Sequence, residues 1–244
     1  MKILLLGATS PIARALAMRF AERGARIYAA ARDAAEVPRV AADIALRSGA
    51  GALWGIFDAA DFASHREFLE RAIRELGGLD GVLLCFGTLG HEARALTDPG
   101  EALSLVNQNY AGAVSILTLA ARYLEEQGRG FIVVLGSVAG VRGRARNYVY
   151  GSAKGGLHLF TQGLRARLSR QGVHVMTVIL GTVDTRMTWG REGTLLTVAP
   201  ERAAASIFRA WEKKRDVVYV PWFWRPIMGV VMMIPERLFK RTNF

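Results

Sequence analysis

Short unbroken apolar runs alternate along this chain with longer stretches in which apolar residues recur every three or four positions. The runs fall at residues 3–6, 26–31, 52–57, 81–86, 131–135, 173–180 and 217–220. Runs this short, without polar alternation, predict strands covered on both faces, as in a parallel sheet. The periodic stretches predict helices between them. One passes through Ala15, Leu16, Met18 and Phe20; others cover 34–48, 62–76, 99–127, 149–170 and 200–214. Within 99–127, Leu103, Val106, Tyr110, Val114, Leu117 and Ala121 step by three and four, yet Asn107 and Asn109, modest helix formers, fall in the middle. Gly77-Gly78 stops one helix, and Gly128 and Gly130 close another. Strands and helices alternate with no internal repeat and no linker. The expectation is an α/β fold, a doubly wound parallel sheet of about seven strands with helices on both faces, as one domain over residues 1–220. A polar loop at about 186–198 has the character of a lid.

The turns at the strand ends carry the first chemistry. Residues 3–6 run into Gly7-Ala8-Thr9-Ser10-Pro11-Ile12-Ala13 and then a helix. Strand, small-residue turn, helix is a Rossmann-like opening, in which the helix N-terminus faces a dinucleotide pyrophosphate. Gly7, Thr9, Ser10 and Ile12 are the candidate contacts. The turn departs from the usual pattern, since Pro11 and Ala13 stand where glycines are usual and Pro11 has no N–H for an anion. The second strand ends at Arg32, with Asp33 only after it. An acidic residue there would hold a ribose 2′-hydroxyl, whereas arginine accepts a 2′-phosphate, so NADP(H) is the expected cofactor and NAD(H) the second choice. Asp58 ends the third strand, where a carboxylate can accept the adenine amino group. Gly87 follows the fourth, where backbone can approach a ligand closely. Cys85 reads as a small buried hydrophobe, with no base spaced to activate it.

Tyr150 and Lys154 are four apart on a predicted helix, hence on one face. An ammonium near a phenol favours the phenolate and brings its pKa down from ~10 towards neutrality, as a general acid/base requires. Ser137 lies thirteen residues before Tyr150, and Asn109-Tyr110-Ala111-Gly112 precedes both. With these motifs the chain resembles the short-chain dehydrogenase/reductase family over about residues 1–220. The resemblance implies that Tyr150 passes a proton to or from the carbonyl or alcohol oxygen and that Ser137 hydrogen-bonds that oxygen. It implies further that Lys154 binds the nicotinamide ribose and lowers the Tyr150 pKa, that Asn109 maintains a water relay behind Lys154, and that Val183 and Thr185 hold the carboxamide. Leu84-Cys85-Phe86-Gly87 stands where the family has Asn-Asn-Ala-Gly, and Leu180 where it has proline. Segments 7–13, 86–90, 146–151 and 225–241 are also similar to the branch containing decaprenylphosphoryl-2-keto-erythro-pentose reductases. That implies a keto-sugar on a polyprenyl-phosphate lipid as substrate, a flavin oxidase as partner enzyme and a place in cell-envelope biosynthesis. The alternatives are a reductase of a soluble ketone or 3-oxoacyl thioester, and a non-catalytic dinucleotide sensor. The family also implies a homodimer or homotetramer through helices 99–127 and 149–170.

Composition narrows the field. Of 244 residues 51% are apolar, enough for a sizeable core. A single cysteine forbids an intrachain disulfide and fits a reducing, cytoplasmic setting. His65, His91, His158 and His174 show no metal-ligand spacing, so no metal is expected. The net charge of +11 admits anionic partners, but no nucleic-acid motif accompanies it. The apolar start is too short for a secretory signal and is interrupted by Thr9-Ser10-Pro11. Arg142, Arg144 and Arg146, between Ser137 and Tyr150, are candidate ligands for a substrate phosphate. Residues 221–244 form an apolar, basic extension packed on or beside the domain. Its Trp222, Phe223 and Trp224, with Arg237, Lys240 and Arg241, suit a peripheral membrane contact, and Pro221, Pro226 and Pro235 argue against a spanning helix.

Overall fold

The structure is a computed structural model that describes residues 1–185, 187 and 196–242. In chain order it runs β1 (Lys2–Leu6), α1 (Pro11–Ala21), β2 (Arg26–Ala31), α2 (Glu36–Ser48), β3 (Ala52–Ile56), α3 (His65–Leu76), β4 (Gly81–Leu84), α4 (Glu92–Ala95) and α5 (Pro99–Val106). A π-helical turn at Asn107–Ala111 leads into α6 (Gly112–Gln127) and β5 (Gly130–Ser137). After a 3₁₀ turn at Val138–Gly140 come α7 (Tyr148–Leu168), β6 (Val173–Leu180), α8 (Pro200–Glu212), β7 (Val217–Val220), α9 (Trp224–Met233) and α10 (Glu236–Phe239).

The seven strands form one sheet in the order β3-β2-β1-β4-β5-β6-β7, and every pairing is parallel. Both faces are covered, which is why the strands read as unbroken apolar runs. Leu5, Ile27, Val133 and Val178 pack under α1, α2 and α8 on one face; Leu4, Leu6, Val82 and Ile132 pack under α3, α6 and α7 on the other. The direction of winding reverses between β1 and β4. Above such a switch point the loops part and leave a crevice at the carboxyl ends of the strands.

Four expectations are adjusted. The third and fourth strands end early, at Ile56 and Leu84 instead of 57 and 86, because the chain there turns out of the ladder towards the crevice. The helix expected over 99–127 is broken by the π turn that contains both asparagines. Asn109 accepts the Thr88 N–H and donates to the carbonyls of Thr88 and Leu105, so its side chain is bound to the loop after β4. The helix expected to reach 170 ends at Leu168, followed by a 3₁₀ turn. Most of the expected lid, residues 186 and 188–195, lies outside the described residues; its end returns to the site, where Val198 bridges Val183.

The extension closes over the carboxyl end of the sheet. Met228, Val231 and Phe239 bury themselves against Val138 and Ile179, which follow or end β5 and β6. No helix among the described residues is long and apolar enough to cross a membrane.

Candidate active site

The helix α7 presents Tyr150, Lys154 and His158 at steps of four, one stripe along a single face. Tyr150 and Lys154 are buried, and Lys154 Nζ lies 5.9 Å from the centre of the Tyr150 ring. The stripe faces the end of β5 because the packing there is very close. A Cβ on Gly140 would fall 2.6 Å from backbone atoms of Lys154 and Gly155, so only glycine lets the turn lie on the helix. That contact delivers Ser137 to the same place. Its Oγ accepts the Ala139 N–H at 3.2 Å, which leaves the hydroxyl proton available to a ligand oxygen.

Burial sets the protonation of this group. Lys154 Nζ donates to the Leu135 carbonyl at 3.3 Å, and burial lowers its pKa from 10.5 to about 8. Burial pushes the Cys85 thiol up to about 12, against the opposing pull of Lys154, so Cys85 is a neutral filler. His158 was not among the residues singled out as chemical. Its Nε2 accepts the Ser137 backbone N–H at 3.2 Å, and burial together with the Lys154 charge lowers its pKa to about 4. A Cβ on Gly136 would fall 2.2 Å from the same nitrogen. The signal that could have found His158 was its spacing, four residues beyond Lys154.

Asn109 and Gly87 join the site from the other side. A Cβ on Gly87 would lie 3.0 Å from both Asn109 Oδ1 and Lys154 Nζ, so this glycine lets the three segments converge. Both amide hydrogens of Asn109 are engaged by protein carbonyls. The water relay that the resemblance implies therefore has only its acceptor oxygen or its backbone to use.

Above the switch point is a cavity of about 510 Å³. Of the residues that the sequence offered as cofactor contacts, Gly7, Thr9, Ser10, Arg32, Asp58, Gly87 and Thr185 line it. Ile12 and Val183 are buried behind its wall. Gly7 has φ +86° and would clash with the Phe86 backbone if it carried a side chain, so the opening turn depends on glycine. Arg32 donates to Gln108 at 3.0 Å. Asp33 also lines the cavity, and one of its carboxylate oxygens accepts the N–H groups of Ala35 and Glu36 at the start of α2. Arg14, one turn into α1 and absent from the sequence-derived candidates, also lines the cavity and pairs with Glu36. These residues fit a dinucleotide: a polar small-residue turn at a helix N-terminus, two arginines in the lining, and Gly87, against which Lys154 Nζ lies.

The arginine loop divides. Arg142 turns away from the cavity and clamps the extension: it donates to the carbonyls of Val231 and Ile234, pairs with Glu236 and lies over the Phe239 ring. The expectation that it binds substrate phosphate is corrected, because three of its donor contacts and its planar face already serve the tail. Arg144 is partly buried, and burial lowers its pKa; Arg146 is exposed.

Comparison with known proteins agrees with this geometry. The profile described as short chain dehydrogenase matches residues 1–194. An uncharacterized oxidoreductase of Mycobacterium tuberculosis is 38% identical over 98% of this chain and 96% of its own length. One from Streptomyces coelicolor is 40% identical over 98% and 94%. Among solved structures, a short-chain dehydrogenase from Sphingobium yanoikuyae in complex with NADPH superposes with a TM-score of 0.82, at 23% identity and 96% coverage of both chains. An NAD⁺-bound xylitol dehydrogenase gives 0.69 at 24% identity, over 75% of this chain and 70% of that one. The chain belongs to the short chain dehydrogenase family of oxidoreductases.

Proposed function

We propose that this protein is an NADP(H)-preferring carbonyl reductase whose substrate is a keto-sugar carried on a polyprenyl-phosphate lipid. The observation that carries the reductase reading is the close packing of the β5 end, which bears Ser137, on the α7 turn that bears Tyr150 and Lys154, with Lys154 Nζ against Gly87 of the cavity lining. A nicotinamide bound there supplies or takes the hydride. The chain does the rest. Thr185 and Val183 orient the ring end, and Lys154 holds the ribose. Ser137 donates a hydrogen bond to the carbonyl oxygen, and Tyr150 delivers a proton to it as negative charge develops. In the oxidative direction the same proton returns to Tyr150.

The cofactor preference rests on Arg14 and Arg32 in the lining of the cavity and on the engagement of one Asp33 oxygen by the start of α2. An arginine–phosphate contact contributes about 1.5–3 kcal/mol. Replacing Arg14 and Arg32 together with alanine is therefore expected to lower kcat/KM for NADPH by ~10- to 100-fold and to leave NADH nearly unchanged. Initial rates with both cofactors decide it. An unchanged NADPH/NADH ratio would remove the arginines from cofactor choice.

For the substrate, the support is the likeness of the tail and of the segments beside Tyr150 to the polyprenyl-linked branch. With Arg142 clamped to the tail, Arg144 and Arg146 are the two loop arginines we assign to the phosphate. Alanine at both is expected to raise KM for a polyprenyl-phosphate keto-pentose roughly tenfold while sparing a small neutral ketone. If the two KM values move together, the phosphate reading fails and the soluble-ketone reading stands. The engagement of Arg142 by the tail is the one observation that favours that second reading.

A further inference from the structure

The C-terminal helix α9 is apolar on both its inner and its outer face. Met228 and Val231 point inward and are buried, with Trp224 and Ile227 half-buried beside them. The outward positions are Arg225, Pro226, Gly229, Val230, Met232 and Met233, and beyond the first-turn Arg225 none of them carries a polar side chain. Val230 is 65% and Met233 82% exposed, and Trp222, just before the helix, is 77% exposed. A helix whose exposed side is apolar beyond its second residue is suited to lie against something. Here the protein covers only half of it.

The exposed face is also held firmly in place. The four contacts of Arg142 pin its far end, and Trp224 sits so tightly on Gly181 that a Cβ there would fall 1.8 Å from the indole nitrogen. The patch is thus fixed at the carboxyl end of the sheet, where the active site opens. Arg225 on the helix and Arg237, Lys240 and Arg241 just after it in the chain are all exposed, and none is paired with a carboxylate among the described residues. Glu236, the one carboxylate of the extension, already pairs with Arg142.

We infer that this face docks on an anionic lipid surface, with Trp222, Val230, Met233 and Leu238 inserted among the headgroups and the four cations against lipid phosphates. Two features select a membrane over a second copy of the chain. A twofold interface would set the cation cluster against itself, on a chain whose net charge is already +11. An exposed tryptophan beside apolar side chains with a basic rim is the composition of a segment lying in the bilayer interface. At ten residues the helix is roughly 15 Å long, half of a hydrocarbon core of about 30 Å, so it lies on the surface and does not cross it. The inference does not depend on which ketone is reduced.

Vesicle co-sedimentation of the full chain tests it, with phosphatidylglycerol–phosphatidylcholine mixtures against phosphatidylcholine alone. Binding is expected to be at least ~10-fold tighter to the anionic vesicles and to weaken with salt. V230E/M233E and K240E/R241E should each reduce it by a similar factor, with circular dichroism, melting temperature and turnover of a soluble ketone unchanged. Binding that ignores lipid charge, or that either folded variant retains, overturns the inference. So does the absence of vesicle binding together with self-association in sedimentation velocity that V230E/M233E abolishes, which would assign the face to a second copy.

Discussion

Lys154→Met is expected to abolish turnover and yet raise the melting temperature of the cofactor-free protein. The ammonium is buried, its one hydrogen-bond acceptor is the Leu135 carbonyl at 3.3 Å, and the neighbouring Cys85 thiol is held neutral. With the folded pKa lowered from 10.5 to about 8, the native state holds the ammonium less favourably than the unfolded chain does. The unfolded chain therefore binds the proton more readily between pH 8 and 10.5. The destabilisation is fully present below pH 8 and is relieved as pH rises through that window. Two to three pKa units correspond to roughly 3 kcal/mol. Methionine has a similar length and no charge. Allowing for incomplete packing, a gain of ~1–2 kcal/mol would raise the melting temperature by about 2–8 °C in a domain of this size. Turnover should fall by at least ~10² because the proton donor loses its electrostatic partner. Tyr150→Phe should lose ~10²–10⁴ in kcat with little change in melting temperature. Differential scanning fluorimetry at pH 7 and initial rates with NADPH read both. A non-catalytic sensor of dinucleotides would show the thermal effect of Lys154→Met without any turnover to lose. If Lys154→Met melts lower than the parent, the buried charge is compensated in a way that the geometry does not show.

The architecture was legible because both faces of the sheet are covered. Residues 3–6, 26–31 and 173–180 read as strands for the reason that makes them central: apolar side chains must point both ways. The Tyr150–Lys154 stripe was legible because helical spacing is local. What could not be read depended on contacts distant in sequence. The π turn at Asn107–Ala111 exists beside the Asn109 bonds to Thr88, twenty-one residues away. Arg142 looked like a phosphate ligand from its neighbours in sequence, but its partners lie in Val231–Glu236, across the tail. Arg14 was hidden by its ordinary place on an amphipathic helix. The same limit concealed the exposed face of α9: its sequence shows that it is apolar, and only the packing shows which half the protein leaves uncovered.

His158 supplies a pH dependence in the weakly acidic range. A backbone N–H can only donate, so Nε2 must accept from Ser137 and the ring proton must sit on Nδ1. Adding a second proton would place N–H against N–H at the residue that holds Ser137 in position. Burial and the Lys154 charge both oppose it, and the folded pKa drops from 6.5 to about 4. Between those values the unfolded chain binds more protons than the native one. The contribution to stability is complete above pH 6.5 and is lost as pH falls towards 4. At pH 5 the loss amounts to about 2 kcal/mol, or ~4–8 °C in melting temperature. His158→Gln keeps a side-chain acceptor but cannot titrate. Relative to wild type, its melting temperature is expected to be lower at pH 7, where the imidazole fits better, and its further decline from pH 7 to pH 5 distinctly shallower. The acid limb of kcat should shift in the same way, because Ser137 is released only when the ring is charged. Parallel declines in wild type and His158→Gln would show that acid acts elsewhere and that His158 only fills space behind Ser137. A shallower decline in the variant would make His158 the residue through which the proton-delivery site senses acid, although it touches neither the substrate oxygen nor the hydroxyl that donates to it.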